Sequence, residues 1–326
     1  MTTMTTEAEL VQQSQRGEGQ ALIARLRFFA AMAASALIFW HIGWAVVGPA
    51  DPNGPVTLLM LHNSVVGIAE LFGLSVAAAG LATAICGARA AHRGPQAVAV
   101  GLAALALRGG FMDEFVRRRM ADRLAAPAGT SVTIFPKGEF IAETWLWIIL
   151  IGVGFIVGRW VESWYTVETT SSPAQPGAAN SSPPASSPAV AAHLDSAAEV
   201  RQGLAALVLN VLVAYNLIIV LGGRNIDELQ KGQIYASIGG AFFISTLVSH
   251  LCFKANSRVW LLVAAAIVST TAYVWNSPDP AALAGSGYVV LPPLLRALPI
   301  EYAALSVAGA LAGFNLRERL TAGTTE

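Results

Sequence analysis

Long apolar runs alternate with short polar segments along most of the chain. Eight of the runs have about 17–25 residues, the length that an α-helix needs to cross the hydrocarbon core of a bilayer. The predicted spans are residues 28–48, 64–87, 95–112, 139–158, 203–222, 234–254, 258–276 and 299–316. The third is the weakest, because its uninterrupted apolar part is only Ala97 to Leu107. The pattern predicts an all-α, polytopic integral membrane bundle.

A stretch rich in serine, proline and alanine separates the fourth span from the fifth. It reads TTSSPAQPGAANSSPPASSPAV, and its few apolar groups would not offset the entropy lost on ordering, so we expect a disordered linker. The predicted organisation is a cytoplasmic N-terminal segment, a four-helix membrane repeat, the linker, a second four-helix repeat and a tail. These parts cover residues 1–27, 28–165, 166–200, 201–317 and 318–326.

The two membrane portions resemble each other in sequence. GTSVTIFPKGEFIAETWLWIILIGVGFIVGRW (129–160) aligns with GSGYVVLPPLLRALPIEYAALSVAGALAGFNL (285–316). Each passes from a proline into an apolar helix with a GxxxG pair, Gly154/Gly158 in the first and Gly309/Gly313 in the second. Four spans per half would give both halves the same orientation, as in transporters built from parallel repeats.

The GxxxG pairs have two interpretations. Small residues let helices approach backbone to backbone, and one such arrangement packs the two pairs against each other across the axis between the halves. The alternative is that glycine is simply common in membrane helices.

Composition and charge agree with a membrane protein. The 326 residues are 55% hydrophobic with a mean hydropathy of +0.57, and 12% are charged, against about 25% in soluble domains. The net charge is zero, which gives no indication of a nucleic-acid partner. The two cysteines, Cys86 and Cys252, form neither a disulfide framework nor a zinc-binding spacing.

The distribution of Lys and Arg predicts the orientation. The first apolar run follows 27 mostly polar residues and is longer than a signal-peptide core, which indicates a retained helix. With the N-terminus inside, eleven basic residues lie on the inner side and nine on the outer side, six of them in segment 108–137. We therefore expect both termini in the cytoplasm, in a bacterial-type inner or plasma membrane. If segment 108–137 were cytoplasmic, the third span would be wrong.

Within that segment, MDEFVRRRMADRL (112–124) combines apolar and charged positions. Phe115, Met120 and Leu124 fall roughly on one side of a helix, with Arg and Asp around them. The pattern is typical of an amphipathic helix on the membrane surface or on the protein's own loops. A fully solvated charged helix is the alternative.

Four ionisable residues fall in the outer third of the predicted bilayer, on successive helices of the first half. They are His41, Glu70, Arg108 and Glu143. An ionised group at such depth costs at least about 2.5–3.5 kcal/mol on insertion scales, so each needs a partner or water. Three hypotheses follow. In the first, Glu70 and Arg108 form a structural ion pair. In the second, all four line an outward-facing polar pocket in which Glu70 and His41 exchange protons. In the third, Arg108 extends to the membrane surface and the depths are misjudged.

The second half has neutral residues at the corresponding positions, Asn216, Gly240 and, loosely, Thr271. Its spans carry several amide and hydroxyl side chains, which we expect to hydrogen-bond between helices. They include Asn210, Tyr215, Ser245, Thr246, Ser249, Ser269, Thr270 and Tyr273.

The functional expectation is a transport pathway for a small solute or ion, with the pocket in the first half. The alternative is a non-catalytic scaffold or accessory subunit that contacts other membrane proteins. An enzyme is less favoured, because Walker A, GxSxG, HExxH and dinucleotide-binding glycine patterns are missing from the sequence. No cofactor is predicted, since the histidines do not form a pair at matched depth for haem and no metal-ligand spacing occurs.

Overall fold

The computed structural model describes residues 7–49, 54–58, 64–87, 93–127, 133–169, 188–223, 231–253, 255, 257–276 and 291–322. Within these residues every regular element is a helix, as predicted. Helix α1 (Glu7–Ile38) continues through a π-helical turn (Phe39–Gly43) into α2 (Trp44–Val47). The later helices are α3 (Ser64–Cys86), α4 (Arg93–Arg108), α5 (Met112–Ala125), α6 (Lys137–Thr169), α7 (Pro188–Leu221), α8 (Lys231–Cys252), α9 (Val259–Trp275), a 3₁₀ turn (Pro293–Leu295) and α10 (Pro299–Ala322).

The helices fit a membrane protein. Five segments of the described chain are long and apolar enough to cross a bilayer: Gly19–Val47, Val65–Cys86, Lys137–Trp164, Ala198–Leu221 and Lys231–Cys252. Helices α4 and α5, bent by 52° at their junction, would make a sixth if they counted as one span. Each of the eight predicted spans falls on a helix, but only five or six of these helices are long and apolar enough to cross a bilayer.

Three predicted spans account for the lower count. Helices α4 and α9 have 16 and 17 residues, which makes each of them short for a span by itself. Helix α10 has 24 residues but is less apolar than the five spans. It is buried at every residue from Pro299 to Val307, and neighbouring helices shield such a helix from lipid, so it keeps polar side chains wherever they have partners.

Glycines mark the closest helix crossings. A Cβ atom on Gly154 of α6 would lie 2.8 Å from backbone atoms of Pro95 on α4. Gly158 follows one turn later on the same face of α6 and is also buried. The first GxxxG pair therefore faces the interior of the bundle, and Gly154 brings α6 into backbone contact with α4.

The second GxxxG pair packs on a different helix. Gly309 of α10 lies against the backbone of Gly239, and Gly313 against that of Phe243, both on α8. The two GxxxG pairs therefore do not pack against each other. Gly154, Gly309 and Gly313 have other backbone neighbours. A repeat would place the two GxxxG pairs in equivalent helix contacts, and these two crossings are not equivalent.

The segment expected to be a disordered linker is helical at both ends. Helix α6 continues to Thr169 and α7 begins at Pro188, so both ends of the predicted linker 166–200 are helical. Its middle, 170–187, lies outside the described residues. The N-terminal segment is helical from Glu7 onward.

Helix α5 confirms the helix predicted over 112–124 and shows which side is packed. Met112, Phe115 and Val116 are fully buried, and the Phe115 ring lies 5.1 Å from the Phe140 ring of α6 in an edge-to-face contact. Leu124 is 87% exposed. The first two turns therefore pack on the bundle and the last turn extends away from it.

The crossing of α8 and α10 generates the first prediction. We expect Gly309→Ala to destabilise the protein by about 1–3 kcal/mol, because the new methyl group meets backbone that must move aside. Thermal unfolding in detergent measures the effect. Gly232→Ala on α8 is the matched control, since its Cβ would meet no atom within 4 Å. Equal stability of the two variants would contradict the tight crossing.

Candidate functional site

Two irregular segments are buried at one end of the bundle. Residues 54–58 follow α2, and residues 291–298 precede α10. Both contain buried backbone, with Val56 and Leu295 at 0% exposure. Backbone N–H and C=O groups outside a helix have no regular partner, and a buried one must find a side chain to bond with. We call this end of the molecule the loop end.

Glu143 holds the first buried segment against α6. Its carboxylate accepts hydrogen bonds from the Thr57 hydroxyl at 2.5 Å, the Leu58 N–H at 2.9 Å and the Trp147 indole N–H at 3.0 Å. Glu143 is 4% exposed. Charge-assisted hydrogen bonds of this kind stabilise a buried carboxylate, so its place in the membrane layer has a structural explanation.

The bend between α4 and α5 packs on the same segment. The Gly110 N–H donates to the Gly54 carbonyl at 2.7 Å. A Cβ on Gly109 would lie 2.5 Å from the Val56 side chain. The two glycines therefore let the chain turn directly against residues 54–58.

Glu301 plays a related role at the second buried segment. It is the third residue of α10 and is fully buried, and its Oε2 atom accepts the Leu298 N–H at 2.9 Å. A Glu at this position commonly bonds backwards to the N–H just before a helix, and the positive end of the helix dipole favours its charge. Its other oxygen, Oε1, accepts no hydrogen bond from the described part of the chain and lies 3.9 Å from Lys231 Nζ.

Lys231 and Tyr235 of α8 connect the two halves. They are one helical turn apart, and both donate to carbonyls in the last turns of α4: Lys231 to Ala106, and the Tyr235 hydroxyl to Ala103 at 2.7 Å. Carbonyls at a helix C-terminus lack intrahelical partners. Lys231 therefore bonds to the end of α4 and offsets the charge of Glu301 on α10.

Arg296 ties the second segment to α7. Its Nε–H donates to the Leu291 carbonyl at 2.8 Å, and an Nη1–H donates to the Gly222 carbonyl just beyond α7 at 3.0 Å. Burial lowers the pKa of the Arg296 guanidinium. Two tyrosine hydroxyls bond to the same segment, Tyr273 to Ala297 at 2.8 Å and Tyr302 to Leu294 at 2.6 Å.

The four ionisable residues predicted to share a pocket occupy separate settings. Arg108 is half-buried, donates from Nη1 to the Trp40 carbonyl at 2.6 Å and stacks on the Trp44 ring at 4.6 Å. It thereby holds the π-helical turn, where the regular backbone ladder is interrupted. Within the described residues, no ion pair joins Arg108 to Glu70.

His41 and Glu70 lie on the outside of the bundle. Both side chains are exposed, on the π-helical turn and on α3 respectively. Phe39, two residues before His41, is fully buried against Gly101 of α4. The π-helical turn therefore directs one side chain into the bundle and the other away from it.

A surface pocket of about 480 Å³ opens at the bend between α4 and α5. Its lining includes Arg108 but none of the other three predicted residues; it consists of Arg108, Gly109, Gly110, Phe111, Asp113, Glu114, Arg117 and Arg118. Within it, Arg117 pairs with Asp113 at 3.5 Å and Arg118 with Glu114 at 2.9 Å. The Phe111 ring lies 5.4 Å from Lys231 Nζ, so the pocket reaches the edge of the buried polar groups.

The predicted hydrogen bonding between helices of the second half is confirmed for one cluster. The Asn210 amide on α7 donates to the Thr246 hydroxyl at 3.1 Å, and the Ser245 hydroxyl donates to Asn210 Oδ1 at 2.5 Å. Asn216, by contrast, is exposed and bonds to the Leu212 carbonyl of its own helix.

The sequence reasoning missed Lys231 and Glu301, two charged residues of the second half that lie at the loop end. Two signals were present. Pro299 and Glu301 form a helix-start pattern, with proline first and Glu third. Lys231 lies three residues before the predicted start of its span and was assigned to a loop, whereas α8 begins at Lys231.

Comparisons with protein-family models, with curated proteins and with solved structures found no match. Among the described residues, no group of three or more His, Cys, Asp or Glu side chains is placed to hold a metal ion. Functional interpretation therefore depends on the geometry of the bundle.

Glu143 generates the second prediction. We expect Glu143→Leu to cost about 3 kcal/mol or more, because the Thr57, Leu58 and Trp147 donors lose their acceptor while buried. Glu143→Gln should cost much less, since one amide oxygen still accepts from Leu58 and Trp147. Thermal unfolding and protease cleavage near residues 54–58 measure both. Equal loss in the two variants would show that the charge itself, and not the acceptor, holds the segment.

Proposed function

We propose that the chain is a non-catalytic scaffold of a larger membrane assembly. The observation that carries this proposal is the exposure of two ionisable side chains, His41 and Glu70, on neighbouring helices that fit membrane spans. An ionisable residue on the outer face of a span is costly in lipid and indicates a partner.

The depth of the two residues supports the proposal. His41 is six residues from the Val47 end of its span, and Glu70 is five residues from the Val65 end of the next. At roughly 1.5 Å per residue, both lie about 8–9 Å inside the same end of the bundle.

The interior charges favour the same interpretation. Glu143, Lys231 and Arg296 each bond to the chain's own backbone at the loop end, and Arg108 bonds to the Trp40 carbonyl. These groups are occupied in holding helices and loops together. His41 and Glu70 are the members of the predicted set that point away from the bundle and are available to another molecule.

The test is the size of the particle in native membranes. We expect the chain, extracted with its surrounding lipid, to have a mass well above the 34.0 kDa of one copy. Replacing both Glu70 and His41 by Leu should reduce the particle to a single chain and leave its thermal unfolding unchanged. Asn216→Leu is the matched control, an exposed polar residue on α7 whose removal should leave the assembly intact. A wild-type particle of one chain would refute the scaffold proposal.

An ion or proton pathway is the second candidate function. The observation that favours it is the Oε1 atom of Glu301, which is buried, has no hydrogen-bond partner among the described residues and lies 3.9 Å from Lys231 Nζ. A carboxylate in this condition is a natural place to take up a proton. The contact of Lys231 with Phe111 connects it to the surface pocket.

Proteoliposomes containing a pH-sensitive dye test the pathway. If it operates, Glu301→Gln abolishes proton flux, whereas Glu143→Gln leaves flux unchanged because Glu143 serves the first buried segment. Flux equal to that of empty vesicles for the wild-type protein would exclude this candidate.

A further inference from the structure

We infer that the partner on the outer face of α1 and α3 is a second copy of this chain, with His41 of each copy against Glu70 of the other. The inference rests on the proposed scaffold function and names the first contact in the assembly. The interface is isologous: a two-fold axis along the membrane normal relates the copies, so the same two residues contribute twice.

Charge and depth carry the argument. An imidazole and a carboxylate are complementary, since a histidinium donates to a carboxylate and a neutral imidazole donates to it as well. A rotation about the membrane normal leaves every residue at its own depth. His41 and Glu70 lie at depths that agree to within one residue, counted from Val47 and Val65. Two reciprocal pairs therefore form without tilting either copy.

The surface around the pair is shaped for helix contact. On α3, Val66, Glu70, Gly73 and Ala77 are exposed and lie on one stripe at helical spacing. A Cβ on Gly73 would meet no atom within 4 Å, so this glycine is not used to pack the chain's own helices. Small residues beside a polar group are the usual composition of a contact between membrane helices.

The α1 side of the face is held in place before association. Leu37, His41 and Ala45 are exposed on the outer side of α1, the π-helical turn and α2. On the opposite side, the Ser35 hydroxyl bonds to the Ala97 carbonyl at 2.6 Å, and Arg108 holds the Trp40 carbonyl. Since the backbone that carries His41 is already fixed, little ordering is needed on binding.

Other occupants of the face match the two residues less readily than a second copy does. Lipid tails supply neither a donor for Glu70 nor an acceptor for His41. A different membrane protein would need a donor and an acceptor at this depth, which a second copy supplies by symmetry. These occupants become outcomes of the test below.

The experiment is a charge exchange measured in lipid vesicles. The purified full chain is labelled, diluted to low protein density, and its dimer fraction is determined by single-molecule photobleaching. We expect dimers for the wild type. Glu70→His alone and His41→Glu alone should each weaken the dimer about tenfold or more, because both reciprocal pairs are lost. The double variant carrying both substitutions should restore it.

A control variant tests whether the effect on dimerisation is specific to the outer face of α1 and α3. Asn216→Glu adds a carboxylate to the exposed side of α7 and should leave the dimer fraction unchanged. Thermal unfolding of every variant should match the wild type, because both positions are exposed. A wild-type monomer, single variants that dimerise normally, or an exchanged variant that stays monomeric would each overturn the inference.

The two proposals fail in different ways. Monomers in vesicles together with a large native particle that needs Glu70 and His41 would refute self-association and leave the scaffold proposal standing with another protein as partner. Monomers in vesicles and a single-chain native particle would refute both. Dimers that survive loss of both side chains would place the contact elsewhere.

Discussion

Buried backbone at the loop end is the constraint on which the rest of the structure depends. Residues 54–58 and 291–298 lie inside the bundle, where polar groups of the main chain have no water to bond with. Ionisable side chains supply missing partners: Glu143 and Glu301 accept backbone N–H groups of these segments, and Arg296 donates to the Leu291 carbonyl. Lys231 donates in the same way to the Ala106 carbonyl at the end of α4. These hydrogen bonds stabilise the buried charges, and the same bonds hold the buried loops in place. Removing either leaves the other buried and unsatisfied.

This arrangement separates the ionisable residues into two groups with different consequences. Those at the loop end bond to the two buried segments, to the end of α4 and to Gly222 just beyond α7, so substitutions there change stability before they change any activity. His41 and Glu70 do not take part in packing the described helices against one another. They lie on the exposed sides of two neighbouring helices. Arg108 links the groups, because it is half-buried and holds the turn from which His41 projects.

Periodicity and run length predicted the helices well, because a stretch of about twenty apolar residues has few alternatives in a membrane. Helix α5 and the Asn210 cluster were also readable from local pattern. The number of spans could not be read in the same way, since α4 and α9 are short for a span by themselves and α10, shielded by other helices, is less apolar. Lys231 was missed because it lies before the predicted span 234–254 and was assigned to a loop, and Glu301 because its position as the third residue of a helix was not recognised as a bonding site.

The amino-acid sequence by itself determined a helical membrane protein, the approximate place of each helix, and the presence of ionisable residues at depth in its first half. Equal depth along four helices suggested one cluster, but depth says nothing about which way a side chain points. The tertiary structure decided that Glu143 faces inward under a loop, that Arg108 holds the π-helical turn, and that His41 and Glu70 face outward. Direction around a helix axis is set by which neighbours it packs against, and that information lies in contacts between residues far apart in the chain.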